Sequence, residues 1–414
     1  MNRKLNVVIV TLLVAILVMA AAVIAVVVTT DGGAGTKSSS ARSESKADNS
    51  AESDITQRQK AFGTWTNAEK YYSYNYLTEN LAGSSLVVFG SSEFNHGNNT
   101  RYFPKKLFAK TNVNPMLIGN AYNQSLSLAT YLGALESKMK NRKVVLLLSP
   151  SWFYWGGVSQ YHYNLRFSEI MYLKLMQAGN VPRSSKKYIA ERTESLLTDA
   201  GILARVRRYN SIFIQGKSSA VDKKYIARRL KALNKAADSA AAVAMTKDDI
   251  TSIPKDKFTY NKSFVPDWKN LVSSAVAEDK GKRNNPYYID DERYQKKYSA
   301  QVAYSKGSQK NMSFEYSPEY KDLRCFLDIC KACKIKALLV ELPMNGYWYD
   351  MTGLDAGKRR IFVKKVDKIA AAYGAATASF TKQEYSKYFM LDTVHLAGKG
   401  WTLINKKIYN FAVR

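Results

Sequence analysis

Short hydrophobic runs alternate with longer amphipathic stretches along most of the chain. The runs are rich in leucine and β-branched residues and end in turn-forming residues, a pattern typical of buried parallel strands. Four such runs occupy residues 85–89, 116–118, 143–148 and 336–340. Between the second and third runs, residues 125–140 carry leucine and tyrosine at helical spacing. This alternation predicts an α/β fold, with a parallel sheet flanked by helices and joined by right-handed crossovers.

A long segment without strand-like runs separates the third and fourth predicted strands. Residues 170–242 are rich in Lys, Arg, Ala and Leu at helical spacing, whereas residues 248–316 combine Tyr, Lys, Asn and Asp with scattered Pro. We therefore expect an insertion of helices and loops at about 160–316. After it the pattern predicts a strand, a helix at 356–373 and a final helix after Gly400.

The N-terminal residues have a different pattern. Residues 5–28 carry no charge, and a helix of this length spans roughly 36 Å, enough to cross a hydrocarbon core. The basic residues Arg3 and Lys4 precede this run, which favours a cytoplasmic N-terminus. We expect a transmembrane anchor within 1–28; a cleaved signal peptide is the alternative.

Residues 29–60 contain too few large apolar side chains to form a core, and predict a flexible linker. Residues 61–414 then form a folded extracellular domain. The predicted location is the cell membrane, with a single span.

Composition limits the possible partners. The 414 residues are 46% hydrophobic, which excludes a disordered chain, and 62 basic against 34 acidic residues give a net charge of +28. Such a charge attracts polyanions and anionic lipids. An extracellular protein does not normally meet nucleic acid, so wall polyphosphates or the membrane surface are the better candidates. Three cysteines and three dispersed histidines predict neither a disulfide framework nor a metal site, and no cofactor is expected.

A serine follows the first predicted strand. Ligands of open α/β sheets bind beyond the carboxyl ends of the strands, and here the sequence is Gly90-Ser91-Ser92-Glu93. A serine in a strand-to-helix turn exposes its hydroxyl, and the N–H groups of that turn can stabilise an oxyanion. Gly-Ser-Ser is also a common loop composition, so this motif alone does not define a site.

An aspartate and a histidine lie three residues apart near the C-terminus, at Asp392 and His395. A catalytic serine needs an imidazole to accept its proton and a carboxylate to orient that imidazole. Together with Ser92, these residues predict a Ser-His-Asp triad. A solvated surface pair is the alternative for this segment taken by itself.

The two segments together resemble the arrangement of SGNH (GDSL-like) hydrolases, and the chain as a whole resembles the DltD family of D-alanyl-lipoteichoic acid biosynthesis proteins. The resemblance covers nearly the whole chain and includes the N-terminal apolar run. It rests on six ordered motifs: VVFGSSEF at 87–94, NQSL at 123–126, SPSWF at 149–153, SPEYKDL at 317–323, ELPMNGYWYDMTG at 341–353 and DTVHLAGKGW at 392–401.

The resemblance implies an SGNH-hydrolase-like domain that acts in D-alanylation of teichoic acids in the Gram-positive cell envelope. It assigns Ser92 as nucleophile, His395 as base and Asp392 as acid of an acyltransferase or thioesterase. Ser91 stands where SGNH hydrolases usually have Asp, a departure that the DltD family shares, and the sequence does not exclude Ser91 as the nucleophile. The implied partners are a DltB-like multi-spanning membrane acyltransferase, the lipoteichoic or wall teichoic acid polymer and, as a further candidate, the D-alanyl carrier protein.

The candidate oxyanion donors depart from the SGNH pattern. SGNH hydrolases have a Gly after the second strand and an Asn after the third. Here Gly119 and Asn123 follow the second strand, and no Asn follows the third. We expect the N–H of Ser92 to be the first donor, with Gly119 or Asn123 second. Trp152 and Asn345, past the third and fourth strands, are candidates for the substrate pocket, and core packing is the alternative for Trp152.

Several alternatives stay open. His96 lies near Ser92 and competes with His395 as base, although only His395 has a nearby Asp in a matching motif. Cys330 and Cys333 form a C-x-x-C at a helix end, where core packing is favoured over redox chemistry. At the level of function, the alternatives are a wall-glycan O-acyl transferase or esterase, and a non-catalytic scaffold for a membrane acyltransferase.

Overall fold

Five parallel strands form the central sheet. The computed structural model describes residues 61–81, 85–250 and 264–414. The strands run in the order β2-β1-β3-β4-β5, and every neighbouring pair is parallel. They are β1 Leu86–Phe89, β2 Pro115–Ile118, β3 Lys143–Leu148, β4 Lys336–Glu341 and β5 Ala376–Ser379.

Four of these strands are the predicted ones, with ends that differ by no more than one residue. The fifth, β5, was not predicted because its sequence, Ala-Thr-Ala-Ser, has no large apolar residue, and only Ala378 is buried. It forms a strand because its backbone pairs with β4, the strand at that side of the sheet. Tertiary pairing here overrides a weak local signal.

Helices connect the strands and follow them in the chain. They are α1 Ala68–Tyr72, α2 Tyr74–Asn80, α3 Pro104–Leu107, α4 Ser125–Leu135, α5 Gln160–Arg166, α6 Glu169–Gln177, α7 Arg183–Leu196, α8 Ala200–Phe213, α9 Ala220–Lys247, α10 Trp268–Asp279, α11 Asp291–Arg293, α12 Val302–Ser305, α13 Glu319–Ala332, α14 Gly346–Met351, α15 Ala356–Tyr373 and α16 Gly398–Val413.

Both faces of the sheet are covered, because side chains alternate along each strand. Val87 and Phe89 belong to the larger core, which α4, α6 and α13 cover. Leu86 and Val88 belong to the second core, to which Trp401 of α16 contributes. Strands buried on both faces explain the continuous apolar runs in the sequence.

The insertion is mostly helical. Between β3 and β4 the chain forms α5 to α12, of which α9 is 28 residues long. The second half of the insertion contains more helix than the sequence predicts, since α10 has 12 residues and packs against α16. The insertion therefore lies against the C-terminal helix of the sheet domain.

A buried lysine holds the start of the described chain against the sheet edge. The Nζ atom of Lys70 donates to the carbonyl oxygens of Gly63, Trp65 and Leu117, each at 2.8 Å. Burial lowers the pKa of this ammonium, while three carbonyl acceptors satisfy its three donors. Leu117 lies in β2, so Lys70 joins residues 63–65 to this edge strand.

The predicted anchor at 5–28 and the linker at 29–60 lie outside the described residues. Across 61–81, 85–250 and 264–414, no helix is both long and apolar enough to cross a bilayer. The division at residues 28 and 60 stays a prediction.

Candidate functional site

The serine turn begins where β1 ends. A short 3-10 helix, Ser92–Asn95, follows the strand directly. The turn is tight: a Cβ on Gly90 would lie 2.5 Å from Oε1 of Glu93 and 2.7 Å from Cζ of Phe94, so a larger residue would displace these side chains. Oε1 of Glu93 accepts a hydrogen bond from the N–H of Ser91 at 2.8 Å and closes the turn from beneath.

The two neighbouring serines differ in environment. Ser91 is buried, and its Oγ donates to the carbonyl of Asn120 at 3.2 Å. Ser92 is half-buried, and its Oγ lies 3.0 Å from Nε2 of His395. The hydroxyl that faces the imidazole is therefore that of Ser92.

Ser92, His395 and Asp392 lie in a hydrogen-bonded row. Nδ1 of His395 lies 2.9 Å from Oδ2 and 3.0 Å from Oδ1 of Asp392. A carboxylate can only accept, so Nδ1 carries the proton and Nε2 is left to accept from the Ser92 hydroxyl. The same carboxylate accepts from the N–H groups of Val394 and His395, at 3.0 and 2.9 Å.

These contacts keep Asp392 ionised. Burial alone would raise the pKa of this carboxyl, but the hydrogen bonds from the His395 ring and from two backbone N–H groups outweigh burial and hold the pKa well below its usual value. A permanently charged Asp392 fixes the imidazole tautomer and stabilises its cation.

A second imidazole lies against the first. The rings of His96 and His395 have centroids 3.7 Å apart and planes tilted by 36°. Burial, followed by repulsion from His395, lowers the pKa of His96 to about 4. His96 is therefore neutral at physiological pH. It makes no hydrogen bond to Ser92, so the geometry favours His395 as the base.

Glu93 is a fourth titratable group of the site, next to Ser92 in the chain. Burial raises its pKa to about 7, against weaker opposing effects of the backbone N–H groups and of His395. Its side chain is buried and does not reach the surface of the site. Glu93 thus supports the turn from inside the fold.

Gly119 and Asn123 are placed differently. Gly119 has φ +145°, and a Cβ there would lie 1.9 Å from the carbonyl oxygen of Gly90, so its backbone packs directly against the serine turn. The buried side chain of Asn123 instead accepts from the N–H of Asn120 and donates to Ser127 Oγ. Asn123 therefore joins the loop after β2 to the first turn of α4, and both hydrogen bonds of its side chain are made there.

Trp152 and Asn345 also have structural environments. Trp152 is 5% exposed and belongs to the larger core. Asn345 is buried, caps α14 by accepting from the N–H of Trp348, and donates to the carbonyl of Tyr287 at 2.8 Å. Its own N–H donates to the carbonyl of Thr393 at 2.9 Å, which holds the loop of the aspartate and histidine.

The insertion supplies residues that sequence reasoning missed. Nη1 of Arg293 lies 3.5 Å from Oδ2 of Asp392. Tyr298, further along the same segment, is buried with its ring 5.3 Å from that of Trp348. No motif marks these positions, and only the tertiary fold brings 293–298 beside residue 392.

In the residues that the structure describes, no group of three or more His, Cys, Asp or Glu side chains is arranged to hold a metal ion. The three cysteines are free and buried, and burial raises the pKa of Cys333 to about 11. This environment suits packing and not a reactive thiolate.

The fold and the site define an α/β protein with a serine, a histidine and an aspartate in line at the carboxyl edge of a parallel sheet. The family model described as "DltD protein" matches residues 59–413. The chain belongs to the DltD family.

Three similar proteins also have the name DltD. The chain is 31% identical over 338 residues to Protein DltD of Bacillus subtilis (strain 168), covering 79% of this chain and 82% of that protein. It is 24% identical to Protein DltD of Staphylococcus aureus (strain NCTC 8325 / PS 47), over 78% of this chain and 79% of that one. It is also 24% identical to Protein DltD of Lacticaseibacillus rhamnosus, over 80% and 78%.

Proposed function

We propose that the protein is an acyltransferase in the D-alanylation of teichoic acids, with Ser92 as its nucleophile. Family membership supports the pathway, and one observation carries the chemistry: Ser92 Oγ lies 3.0 Å from Nε2 of His395, whose other nitrogen contacts an ionised Asp392. A base oriented in this way activates a serine for acyl transfer.

The first half-reaction forms an acyl-enzyme. Nε2 of His395 takes the proton of the Ser92 hydroxyl while Oγ attacks the carbonyl carbon of a D-alanyl ester or thioester. The bond to the leaving oxygen or sulfur breaks, and the leaving group takes the proton from His395. Asp392 stabilises the imidazolium between these two proton transfers.

The second half-reaction passes the D-alanyl group on. A hydroxyl of the teichoic acid loses its proton to His395 and attacks the ester carbonyl on Ser92. The bond to Oγ breaks, and His395 returns the proton to the serine. Water in place of the polymer hydroxyl would make the same site a thioesterase or esterase.

The tetrahedral oxyanion needs donors beside Ser92. The N–H of Ser92 is the first of its 3-10 helix and has no hydrogen-bond partner in the described residues. It is the first candidate donor. Gly119 N–H is the second, because Gly119 packs directly on the same turn. Each such donor contributes a factor of about 10²–10³ in rate.

We also propose that the fold belongs to the SGNH-hydrolase-like class. Two features support this: the serine follows β1, and the Asp-x-x-His segment precedes the last helix. The proposal also includes a membrane-anchored chain with an extracellular catalytic domain. The proposed partners are a DltB-like multi-spanning acyltransferase and the D-alanyl carrier protein.

A fluorophosphonate probe tests the nucleophile directly, since it reacts covalently with activated serines. We expect the full-length protein to be labelled, and Ser92→Ala to abolish labelling. The matched control is Ser91→Ala, which removes the neighbouring hydroxyl and leaves labelling in place. Labelling that disappears with Ser91→Ala and persists in Ser92→Ala would refute the assignment.

The D-alanyl ester content of teichoic acid in cells that depend on this protein tests the pathway. Ser92→Ala should reduce it to the level of a deletion. A normal content with an equally expressed Ser92→Ala protein would refute the covalent route and favour the scaffold function. Loss of an acyl group other than D-alanine would favour a wall-glycan O-acyl transferase.

A further inference from the structure

Three side chains with N–H donors, those of His96, Arg293 and Lys297, lie near the proposed triad, and the charges of Arg293 and Lys297 both act on the His96 ring. His96 stacks on the ring of His395, and Arg293 approaches Asp392 from the other segment of the chain. Lys297 follows Arg293 by four residues in a continuous helical segment, in which α11 runs directly into a π-helical turn, Tyr294–Tyr298. This spacing places Arg293 and Lys297 on the same face of that segment.

Among the described residues, most of these donors have no hydrogen-bonding or acidic partner, and Lys297 Nζ lies 5.2 Å from the centroid of the Tyr298 ring. In the described residues, neither ring nitrogen of His96 takes part in a hydrogen bond, and Lys297 pairs with no carboxylate. Within the described part of the chain, Arg293 makes one ion pair, through Nη1 at the long distance of 3.5 Å, and its other guanidinium N–H groups have no acidic partner there. The adjacent carboxylate, Asp392, is already engaged by the backbone and ring of His395.

This chemistry selects an anion. A cluster of cationic and neutral N–H donors repels the ammonium of a D-alanyl group, so it cannot be the place where that ammonium sits. It attracts phosphate, which accepts several hydrogen bonds at once. In a glycerol phosphate polymer each free hydroxyl stands one carbon away from a phosphate ester, so a hydroxyl at Ser92 brings a phosphate beside it.

We propose that His96, Arg293 and Lys297 form a binding site for a phosphodiester of the acceptor polymer, next to the hydroxyl that receives the acyl group. The inference rests on the proposed function and adds the acceptor side of the same site. A phosphate bound there neutralises the cations. It also holds the neighbouring acceptor hydroxyl against the acyl carbonyl on Ser92.

The neighbouring Lys296 offers a matched control. It lies on the same segment but pairs with Glu292, one turn earlier, and both side chains are about three-quarters exposed, at 74% and 73%. Lys296→Gln and Lys297→Gln change the net charge of the protein equally. Only Lys297 faces the histidines under the proposal.

The experiment measures calorimetric binding of a synthetic glycerol phosphate oligomer to the full chain in neutral detergent. We expect Lys297→Gln and Arg293→Gln each to weaken binding about five- to tenfold and to reduce its dependence on salt. Lys296→Gln should leave both unchanged. Equal losses in the two lysine variants, or no loss in Lys297→Gln and Arg293→Gln, would overturn the site.

Two further arms separate the possible explanations. Phosphatidylglycerol added to the micelles carries the same phosphodiester on a lipid. If it displaces the bound oligomer at a lower concentration than unlabelled free oligomer does, the site binds a lipid head group and not the polymer. Binding is also measured with Ser92→Ala, which cannot transfer an acyl group. A failed fluorophosphonate reaction then refutes the proposed function, whereas only the oligomer titration decides the phosphodiester site.

Discussion

The N–H of Asn345 donates to the carbonyl of Thr393 at 2.9 Å, and this contact joins the chain just past β4 to the loop of the proposed triad. Asn345 uses its side chain as well, to cap α14 and to hold Tyr287 of the insertion. One buried residue thus connects the sheet, the insertion and the Asp392-His395 loop.

Replacing Asn345 should loosen that connection. We expect Asn345→Ala to lower the free energy of unfolding by about 1–3 kcal/mol, because it removes the helix cap and leaves a buried carbonyl unpaired. Asn345→Asp keeps the cap acceptor and should lose less. Thermal unfolding measures both, and fluorophosphonate labelling should slow in the same order. Equal stability of all three proteins would contradict this role.

Asp392→Asn tests the tautomer of His395. An amide can donate to Nδ1, which shifts the ring proton to Nε2, so that Nε2 no longer accepts from Ser92. We expect the labelling rate to fall by about 10³–10⁴-fold with little change in fold. Asp367→Asn, an exposed site on α15, is the control. A rate within tenfold of the unchanged protein would mean that Asp392 does not orient the base.

Glu93 gives stability a dependence on pH. Burial raises its folded pKa to about 7, whereas the unfolded value is near 4.5. The folded state therefore binds the proton more tightly, and stability decreases as pH rises through this interval. Glu93→Gln keeps an acceptor for the Ser91 N–H and removes the titration.

Urea unfolding of both proteins at pH 5 and pH 8 measures this effect. The unchanged protein should lose up to about 3 kcal/mol more than Glu93→Gln between the two pH values. Other buried carboxyls, such as Glu319, titrate in both proteins and cancel in the difference. Parallel pH dependences would show that Glu93 does not titrate in this range.

Gly119→Ala should damage the serine turn. Its φ of +145° is unfavourable for alanine, and the added Cβ would collide with the Gly90 carbonyl at 1.9 Å. We expect a strong fall in both melting temperature and labelling. Gly374→Ala is the control, since this residue also has positive φ, +65°, but no atom within 4 Å of an added Cβ. It should cost only about 1–2 kcal/mol, the price of a left-handed conformation for alanine. Similar losses in the two variants would exclude the close approach as the cause.

Much of the fold could be predicted because the sheet is buried on both faces. Continuous apolar runs mark β1 to β4, and helical spacing marks α4, α13 and α15. β5 gave no such signal, as its residues are small and mostly exposed. Its place depends on pairing with β4, which is a long-range property of the fold.

The site could be predicted only in part for a related reason. The sequence pairs Ser92 with Asp392 and His395 through local motifs, and the three side chains lie together, although their catalytic role stays a prediction. Arg293 could not be found in this way. Its position beside Asp392 arises from the path of a long insertion that no short pattern encodes.

The three hydrogen bonds of Lys70 link the start of the described chain to the strand beside the serine turn. They fasten residues 63–65 to β2, the strand whose carboxyl end leads into Gly119. Separation of residues 63–65 from β2 would therefore expose a buried ammonium without its acceptors, and it would disturb the sheet edge that supports the serine turn.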